Sequence, residues 1–316
     1  MKVIRGLNNL HIKEGSVVTI GVFDGMHIGH RKIIGDVVKR AKALGLASAA
    51  VTFDPHPLKV LSRGHAIPSL ISLDHRIRLI KECGLDILVV LKFTKAVSSL
   101  SAEDFVKDIL VDRMNAREIY VGGDFYFGKG RKAGPTALKA LAKRHALKVR
   151  VVKPVKASGR VVSSSLIRKL IAAGELRKAA KFLARPVSVL GTVVSGANLA
   201  RELGYPTANL NPHHEAIPPS GVYACLVRYG KKFYKGILNI GTAPTFYSPR
   251  DREPAIEVHI FDFRKDVYGK DLEVLFIGKL RDEKRFKDKD TLVAEIEKDE
   301  KAARKILNLY KSGQVC

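Results

Sequence analysis

Strand-like and helix-like segments alternate along the first half of the chain, and this alternation constrains the fold most. The strand-like runs are short, apolar and rich in β-branched residues, and the segments between them carry apolar residues at helical spacing. Strands separated by such helices form a parallel sheet with crossover connections, the α/β class. The predicted strands are 17–23, 46–53, 86–91, 118–121 and 147–152, and the predicted helices are 30–44, 74–83, 101–114 and 135–145, with two short helices after residue 163.

The pattern changes near Arg185 and Pro186. From residue 187 to 278, short β-rich runs are separated by turns that contain Gly, Pro and Asn, with no helical pattern between them. Evenly spaced short strands of this kind predict an antiparallel β-barrel. Residues 290–311 place apolar side chains on one helical face, so we expect a terminal helix that packs across the barrel. The predicted domains are 1–184 and 185–316.

The net charge of +25 is concentrated in the first half of the chain. Residues 1–185 hold 35 Lys and Arg against 14 Asp and Glu, a net +21, whereas residues 186–316 hold 21 against 17, a net +4. Such a field attracts anions, either nucleotides or nucleic acid. The basic residues are scattered, however, without a zinc finger, an aromatic RNA-binding signature or a heptad-linked basic region. A solvated, lysine-rich surface is the simpler explanation, and we expect no specific nucleic-acid partner.

The sequence shows no membrane or secretion signal. No apolar run approaches the roughly 20 residues that span a bilayer, and the start, MKVIRGLNNLHIKEG, lacks the apolar stretch of a signal peptide. We therefore expect a cytoplasmic protein without a membrane partner. Cys83, Cys225 and Cys316 lie far apart without metal-ligand spacing, so we expect two buried thiols and one terminal thiol. The oligomeric state stays open.

The segment GVFDGMHIGH, residues 21–30, joins the first predicted strand to the first predicted helix. In open α/β sheets ligands bind outside the carboxyl ends of the strands, and the free N–H groups of a helix amino terminus favour phosphate. His27 and His30, three apart around Gly29, could both face a triphosphate and donate hydrogen bonds to it. The alternative is that the two histidines only cap the helix.

Two further motifs point to the same edge of the sheet. TFDPHP, residues 52–57, ends the second predicted strand and holds His56 on a loop that two prolines stiffen. SSSLIR, residues 163–168, offers hydroxyls, helix N–H groups and Arg168 to a polyphosphate. The alternatives are a structural turn for the first motif and an ordinary serine cap for the second.

The loop GGDFYFGKGRKAG, residues 122–134, follows the fourth predicted strand. It approaches the P-loop pattern, but Gly130 stands where a hydroxyl residue would ligate Mg²⁺, so we reject a P-loop. A Gly- and Lys-rich loop over a phosphate-bearing ligand and a simple surface loop both remain open.

The second half carries PTAN and, later, EVHIF. Thr207 and Asn209 alternate along an extended backbone and so point to one side, where a hydroxyl and an amide oxygen could ligate one hard cation. Glu257 and His259 share a strand face, and a carboxylate at a barrel mouth could accept a proton from an alcohol. The alternatives are a Pro-Thr turn and a solvent-facing glutamate.

The first-half motifs, in this order and at roughly these separations, resemble the FMN adenylyltransferase module of bacterial bifunctional riboflavin kinase/FAD synthetases. The second-half motifs resemble the riboflavin kinase module that follows it, so the resemblance covers nearly the whole chain. It implies a Rossmann-like α/β nucleotidyltransferase domain, then an antiparallel β-barrel riboflavin kinase domain with a C-terminal helix. It also implies that ATP phosphorylates riboflavin to FMN and adenylylates FMN to FAD and pyrophosphate, with Mg²⁺ as cofactor.

The resemblance also implies roles for individual residues. His27 and His30 would steady the triphosphate, and Glu257 would deprotonate the 5′-hydroxyl of riboflavin. Thr207 and Asn209 would hold the metal and position ATP. The other expected contacts are Gly21, Phe23, Asp24, Gly25, Ser164, Arg168, Gly204 and Pro206 with ATP, and His56, Asp124, Phe125 and Arg281 with the flavin.

One position departs from the family pattern, because Ala200 precedes Arg201 where the family usually has Gly-Arg. If that glycine needs a positive φ, alanine costs about 1 kcal/mol or more and lowers kinase efficiency. Two alternative functions are an enzyme with a single active module and a basic nucleic-acid-binding protein in which the motifs are relics. Complete site motifs argue against relics.

Overall fold

The computed structural model describes residues 1–61, 68–195, 204–213, 215–241 and 255–310. The chain forms two compact units. The first unit consists of Met1–Ser69 and Leu73–Ser164, and the second consists of Leu70–Ser72 and Ser165–Cys316.

A parallel sheet forms the centre of the first unit, as predicted, and it has six strands instead of the five predicted. Its strands are β1 Lys2–Arg5, β2 Ser16–Ile20, β3 Ala47–Asp54, β4 Ile87–Lys92, β5 Ala116–Gly122 and β6 Lys148–Val152. The helices up to residue 144 are α1 Ile28–Leu44, α2 Pro57–Leu61, α3 Leu73–Glu82, α4 Lys95–Ser99, α5 Ala102–Asp104, which continues as a π-helical turn Phe105–Val111, and α6 Pro135–Arg144.

The hairpin β7 Lys156–Ala157 and β8 Arg160–Val161 then leads to helices α7 Ser164–Ala172 and α8 Leu176–Leu183.

The strand order β1-β4-β3-β2-β5-β6 places a topological switch point beside β2. The chain passes from β2 through β3 to β4 on one side and then crosses to β5 on the other side of β2. In open α/β sheets the crevice at the carboxyl ends of two such strands is where ligands bind. The loop after β2 carries GVFDGMHIGH and the loop after β5 carries GGDF, so both motifs start at this crevice.

Two features of the sheet differ from the predicted pattern. The first predicted strand, 17–23, ends at Ile20, because Phe23 and Met26 adopt left-handed backbone conformations with φ of 53° and 45°. A strand cannot continue through such residues. The edge strand β1 was not predicted, since only Ile4 of its four residues is buried and it therefore lacks an apolar pattern.

An antiparallel, closed six-stranded barrel forms the second unit, as predicted. A terminal helix, α9, covers one face of the barrel, because its Ala303 and Leu307 pack with Ala224, Ile237 and Leu275 in one apolar cluster. The strands are β9 Ser188–Val194, β10 Ala208–Asn211, β11 Gly221–Tyr229, β12 Lys232–Gly241, β13 Ala255–Ile260 and β14 Asp271–Arg281, and α9 is Lys289–Leu309.

Candidate active sites

His27 and His30 form a stacked pair at the amino terminus of α1. Their ring centroids are 3.6 Å apart with an interplanar angle of 16°. His27 is the N-cap residue, and its Nδ1 accepts a hydrogen bond from the backbone N–H of His30 at 3.3 Å. His27 thus caps the helix, and this cap uses only one of its ring nitrogens. A neutral imidazole whose Nδ1 accepts carries its proton on Nε2, which leaves Nε2–H as a donor.

Burial keeps both imidazoles neutral. It lowers the pKa of His27 to about 4, although the negative charge of Asp124 acts in the opposite direction. Burial also lowers the pKa of His30, and the charges of His27 and Arg76 lower it further. The influence of Asp124 on His27 shows that the loops after β5 and β2 approach each other, as the switch point requires. The Nδ1 atom of His30 is buried and has no hydrogen-bond partner among the described residues.

Glycines and one aromatic ring shape the loop between β2 and α1. A Cβ on Gly21 would lie 3.0 Å from the ring of Phe23, so glycine gives this ring room to fold back. The ring of Phe23 then meets His30 edge-on, with centroids 5.4 Å apart. Gly25 has a φ of 83°, which favours glycine. These residues therefore hold the histidine pair in place.

Ser164 joins the SSSLIR motif to this loop. Its Oγ donates a hydrogen bond of 2.8 Å to the backbone carbonyl of Asp24. The Asp24 side chain is buried, with 3% of its surface exposed. Arg168 lies one turn further along α7 and is half-buried. The structure thus brings Ser164 to the predicted nucleotide loop.

His56 and Phe125 make local contacts. Nδ1 of His56 accepts a hydrogen bond of 3.1 Å from the backbone N–H of Leu58, at the start of α2. The ring of Phe125 stacks on Phe127, with centroids 5.3 Å apart. This geometry fits a structural turn as well as a flavin contact. Asp124, beside Phe125, is exposed.

A polar row of three side chains crosses the barrel around Glu257. On β13, Glu257 lies opposite Asn209 of β10 on one side and opposite Asn239 of β12 on the other. Directly opposed residues of antiparallel strands project from the same face, with Cα atoms about 4.5–5.5 Å apart. The terminal helix α9 covers another part of the same face. Ile237 lies two residues before Asn239 on β12, so it projects from this face, and it belongs to the apolar cluster that contains Ala303 and Leu307 of α9.

The carboxylate of Glu257 is poised to accept a proton. Glu257 is half-buried, and burial raises its pKa above the usual value for a glutamate. A higher pKa makes the carboxylate a stronger base. Carboxylates with raised pKa values in polar clusters are typical of proton-transfer sites.

His259 holds the segment that leads into β10. Its Nδ1 lies 2.9 Å from the carbonyl oxygen of Pro206, and because that oxygen can only accept, Nδ1–H donates. The ring of Tyr205 packs edge-on against His259 at 5.4 Å. Gly204, with a φ of 85°, starts the segment, and Thr207 ends it next to β10. His259 and Glu257 lie on the same strand, β13. The hydrogen bond of His259 therefore fixes residues 204–207 relative to the strand that carries Glu257.

Arg281 forms an ion pair between β14 and α9. Its Nη2 and Nε donate to Asp299 at 2.8 Å and 3.0 Å, and its Nη1 donates to the carbonyl of Asp282 at 3.0 Å. Its Nε also lies 3.6 Å from a carboxylate oxygen of Glu295. The guanidinium predicted to contact flavin is thus occupied in fastening the terminal helix to the barrel.

Comparison with known proteins decides the family. The FAD synthetase family model matches residues 9–166, and the riboflavin kinase family model matches residues 183–307. The chain belongs to the bifunctional riboflavin kinase/FMN adenylyltransferase family. Both predicted activities and the predicted order of the two modules are thereby confirmed.

Relatives of the bifunctional family match along nearly the whole chain. The Buchnera aphidicola (subsp. Schizaphis graminum) bifunctional riboflavin kinase/FMN adenylyltransferase is 36% identical over 98% of this chain and 100% of its own. The Escherichia coli K12 protein of that name is 34% identical over 98% and 99%. A solved structure titled macrolide-efflux protein from Streptococcus pneumoniae is 31% identical, covers 96% of this chain and 99% of its own, and has a TM-score of 0.84.

Asn239 is the site residue that sequence reasoning missed in the kinase module. It begins the segment NIGTAPTF, residues 239–246, but its place beside Glu257 depends on the pairing of β12 with β13. Other motif positions fall outside the described residues. These are the substituted Ala200, with Arg201, and residues 242–246 of NIGTAPTF.

Two negative findings concern the residues that the structure describes. Within them, no group of three or more His, Cys, Asp or Glu side chains is arranged to hold a metal ion. No helix in the described part of the chain is long and apolar enough to cross a membrane.

Proposed function

We propose that adenylyl transfer takes place at the junction of β2 and α1, and that riboflavin is phosphorylated beside Glu257. The observation that carries the first assignment is the stacked pair of neutral histidines, His27 buried and His30 half-buried, at a helix amino terminus next to the switch point. The row of Asn209, Glu257 and Asn239 carries the second. Flavin contacts by His56, Asp124, Phe125 and Arg281 remain part of the proposal.

In the first reaction, an FMN phosphate oxygen attacks the α-phosphorus of ATP and the bond to pyrophosphate breaks. Negative charge then grows on the leaving pyrophosphate. Nε2–H of His27, a ring N–H of His30 and the free N–H groups of α1 are donors that would stabilise this charge. Ser164 and Arg168 would bind the triphosphate from α7. Such transfers depend mainly on positioning and electrostatics, which this rigid, buried donor set supplies.

In the second reaction, Glu257 accepts the proton of the riboflavin 5′-hydroxyl as the oxygen attacks the γ-phosphorus of ATP, and ADP leaves. The raised pKa of Glu257 favours this transfer. Asn239 and Asn209 lie on either side of the carboxylate and would orient it or the substrate. Gly204 and Pro206 lie on the segment that His259 anchors, which would approach ATP.

The donor set of the kinase site fits Mg²⁺. Thr207 and Asn209 offer a hydroxyl and an amide oxygen, and Mg²⁺ prefers few protein oxygens together with phosphates and water. These two residues would hold the ion, which when bound would neutralise phosphate charge.

A direct assay tests the proposal. The full chain is incubated with riboflavin, ATP and Mg²⁺, and the flavins are separated by chromatography. We expect FMN first and FAD later, and we expect a chelator to stop both. Appearance of FMN without FAD would mean that only the kinase module is active, and appearance of neither product would mean that the kinase module is inactive. We also propose a cytoplasmic location and a domain boundary between residues 184 and 185.

A further inference from the structure

Arg76 of α3 is a buried arginine outside every motif considered so far. Only 4% of its surface is exposed. Burying a guanidinium is costly, and an apolar side chain in this core position would be cheaper. Its neighbours on α3, Leu79 and Ile80, are buried and apolar, as expected for the inner face of the helix. The guanidinium must therefore make contacts that offset its burial.

The guanidinium of Arg76 joins two loops at the carboxyl edge of the sheet. Its Nη1 donates to the carbonyl of Val22 at 2.7 Å, to Oγ1 of Thr52 at 2.9 Å and to the carbonyl of Phe53 at 3.1 Å. The hydroxyl of Thr52 in turn donates to the same Val22 carbonyl at 3.0 Å. Val22 belongs to GVFDGMHIGH, whereas Thr52 and Phe53 belong to TFDPHP. A closed network thus connects the two motifs.

The positive charge of Arg76 also interacts with residues of the proposed adenylyl-transfer site. The carboxylates of Asp24 and Asp54, one beside each loop, favour its charged form and oppose the effect of burial on its pKa. The same positive charge acts on His30 and helps to keep that imidazole neutral. The Nε of Arg76 is buried and has no hydrogen-bond partner among the described residues.

We propose that Arg76 is a positioning residue for adenylyl transfer, which fixes the loop of the histidine pair against the TFDPHP loop. This inference rests on the proposed assignment of adenylyl transfer to the β2–α1 junction. If the first loop carries ATP and the second carries FMN, a shift between them misaligns the attacking oxygen and the α-phosphorus. A displacement of about 1 Å can cost about 10²-fold in rate. Each loop keeps its own substrate-binding groups while its position relative to the other loop changes, so the effect falls on kcat more than on KM.

The test compares Arg76→Met, Arg76→Lys and Thr52→Val in the full-length protein, with FMN and ATP as substrates. Arg76→Met should lower kcat for FAD formation by about 10²-fold, with both KM values changing by less than about 3-fold. Arg76→Lys, which keeps one charged donor, and Thr52→Val should each lower kcat by roughly 10-fold. The double variant Arg76→Met/Thr52→Val should be no slower than Arg76→Met, because both changes break one network.

Arg40→Met is the matched control for general destabilisation. Arg40 pairs with buried Glu118 at 2.6 Å in the same unit, and Glu118 lies opposite Val17, near the amino end of β2. This variant should lose thermal stability but keep kcat, and riboflavin phosphorylation should be unchanged in all variants.

Four outcomes would overturn the inference. They are a normal kcat in Arg76→Met, a normal kcat in both Arg76→Lys and Thr52→Val, additive losses in the double variant, and an equal loss of kcat in Arg40→Met. His30→Ala separates this failure from failure of the proposed site. If His30→Ala abolishes FAD formation and Arg76→Met does not, only the role of Arg76 is wrong. If His30→Ala is fully active, the assigned site itself is wrong.

Discussion

Asn209 and Glu257 lie directly opposite each other on the paired strands β10 and β13. Asn239 lies opposite Glu257 on the other side. A carboxylate between two amides can accept hydrogen bonds that fix its orientation, while its raised pKa keeps it basic. The pairing of β10 with β13 brings together the motifs PTAN and EVHIF, which are nearly 50 residues apart in the chain. It places the proposed base, Glu257, beside the proposed metal ligand, Asn209.

Replacing Glu257 by Gln tests the proposed base. The amide keeps the shape of the side chain but cannot accept the hydroxyl proton, so formation of FMN from riboflavin should fall by roughly 10² to 10⁴-fold. Conversion of added FMN to FAD should continue at the normal rate, which serves as the internal control. Chromatography of the flavins measures both. Normal riboflavin phosphorylation by the variant would exclude Glu257 as the base.

Replacing His27 by Asn separates capping from catalysis. Asparagine is a good N-cap residue, so the helix start should survive the change. The variant lacks the Nε2–H donor, and FAD formation should fall by on the order of 10²-fold, with riboflavin phosphorylation unchanged. Steady-state kinetics with FMN and ATP measures the loss. A fully active His27→Asn variant would show that His27 is only a cap.

Gly29 and Gly35 of α1 offer a matched pair of glycine-to-alanine changes. A Cβ on Gly29 would lie 3.1 Å from Cε1 of His27, whereas a Cβ on Gly35 would meet nothing within 4 Å. Both changes favour the helix, by up to about 1 kcal/mol. We therefore expect Gly35→Ala to raise thermal stability without changing activity, and Gly29→Ala to displace the His27 ring and lower FAD formation, by roughly 10-fold. Equal activity of the two variants would contradict this role of Gly29.

Local patterns predicted much of the fold and part of the candidate sites. The alternating segments predicted the parallel sheet, and the position of His27 and His30 after a strand placed them at a helix start. These inferences need only short-range sequence patterns. The strand order was not predicted, and the proximity of Asp124 to His27 depends on it, because β2 and β5 are neighbours in the sheet.

Residues whose roles depend on long-range packing could not be predicted. Asn239 reaches Glu257 only through strand pairing, and no local pattern specifies that register. Arg76 lies on an amphipathic helix, where an arginine is ordinarily expected at the surface. The end of β2 at Ile20 was missed because Phe23 and Met26, which are not glycines, adopt positive φ values. Long-range contacts determine the first two, and an unusual local backbone conformation determines the third.

The lowered pKa of His27 predicts a loss of stability in acid. Its value falls from 6.5 to about 4 because of burial, so between these values the unfolded chain binds a proton that the folded chain does not. The free energy of unfolding therefore decreases as the pH falls from 6.5 towards 4, by about 3 kcal/mol over the whole range. His27→Asn, which cannot titrate, should lose less stability over this range. Hydrogen exchange of β2 and α1, corrected for the intrinsic rate at each pH, measures the difference. Parallel pH dependence in the wild type and the variant would show that His27 is not buried as a neutral imidazole.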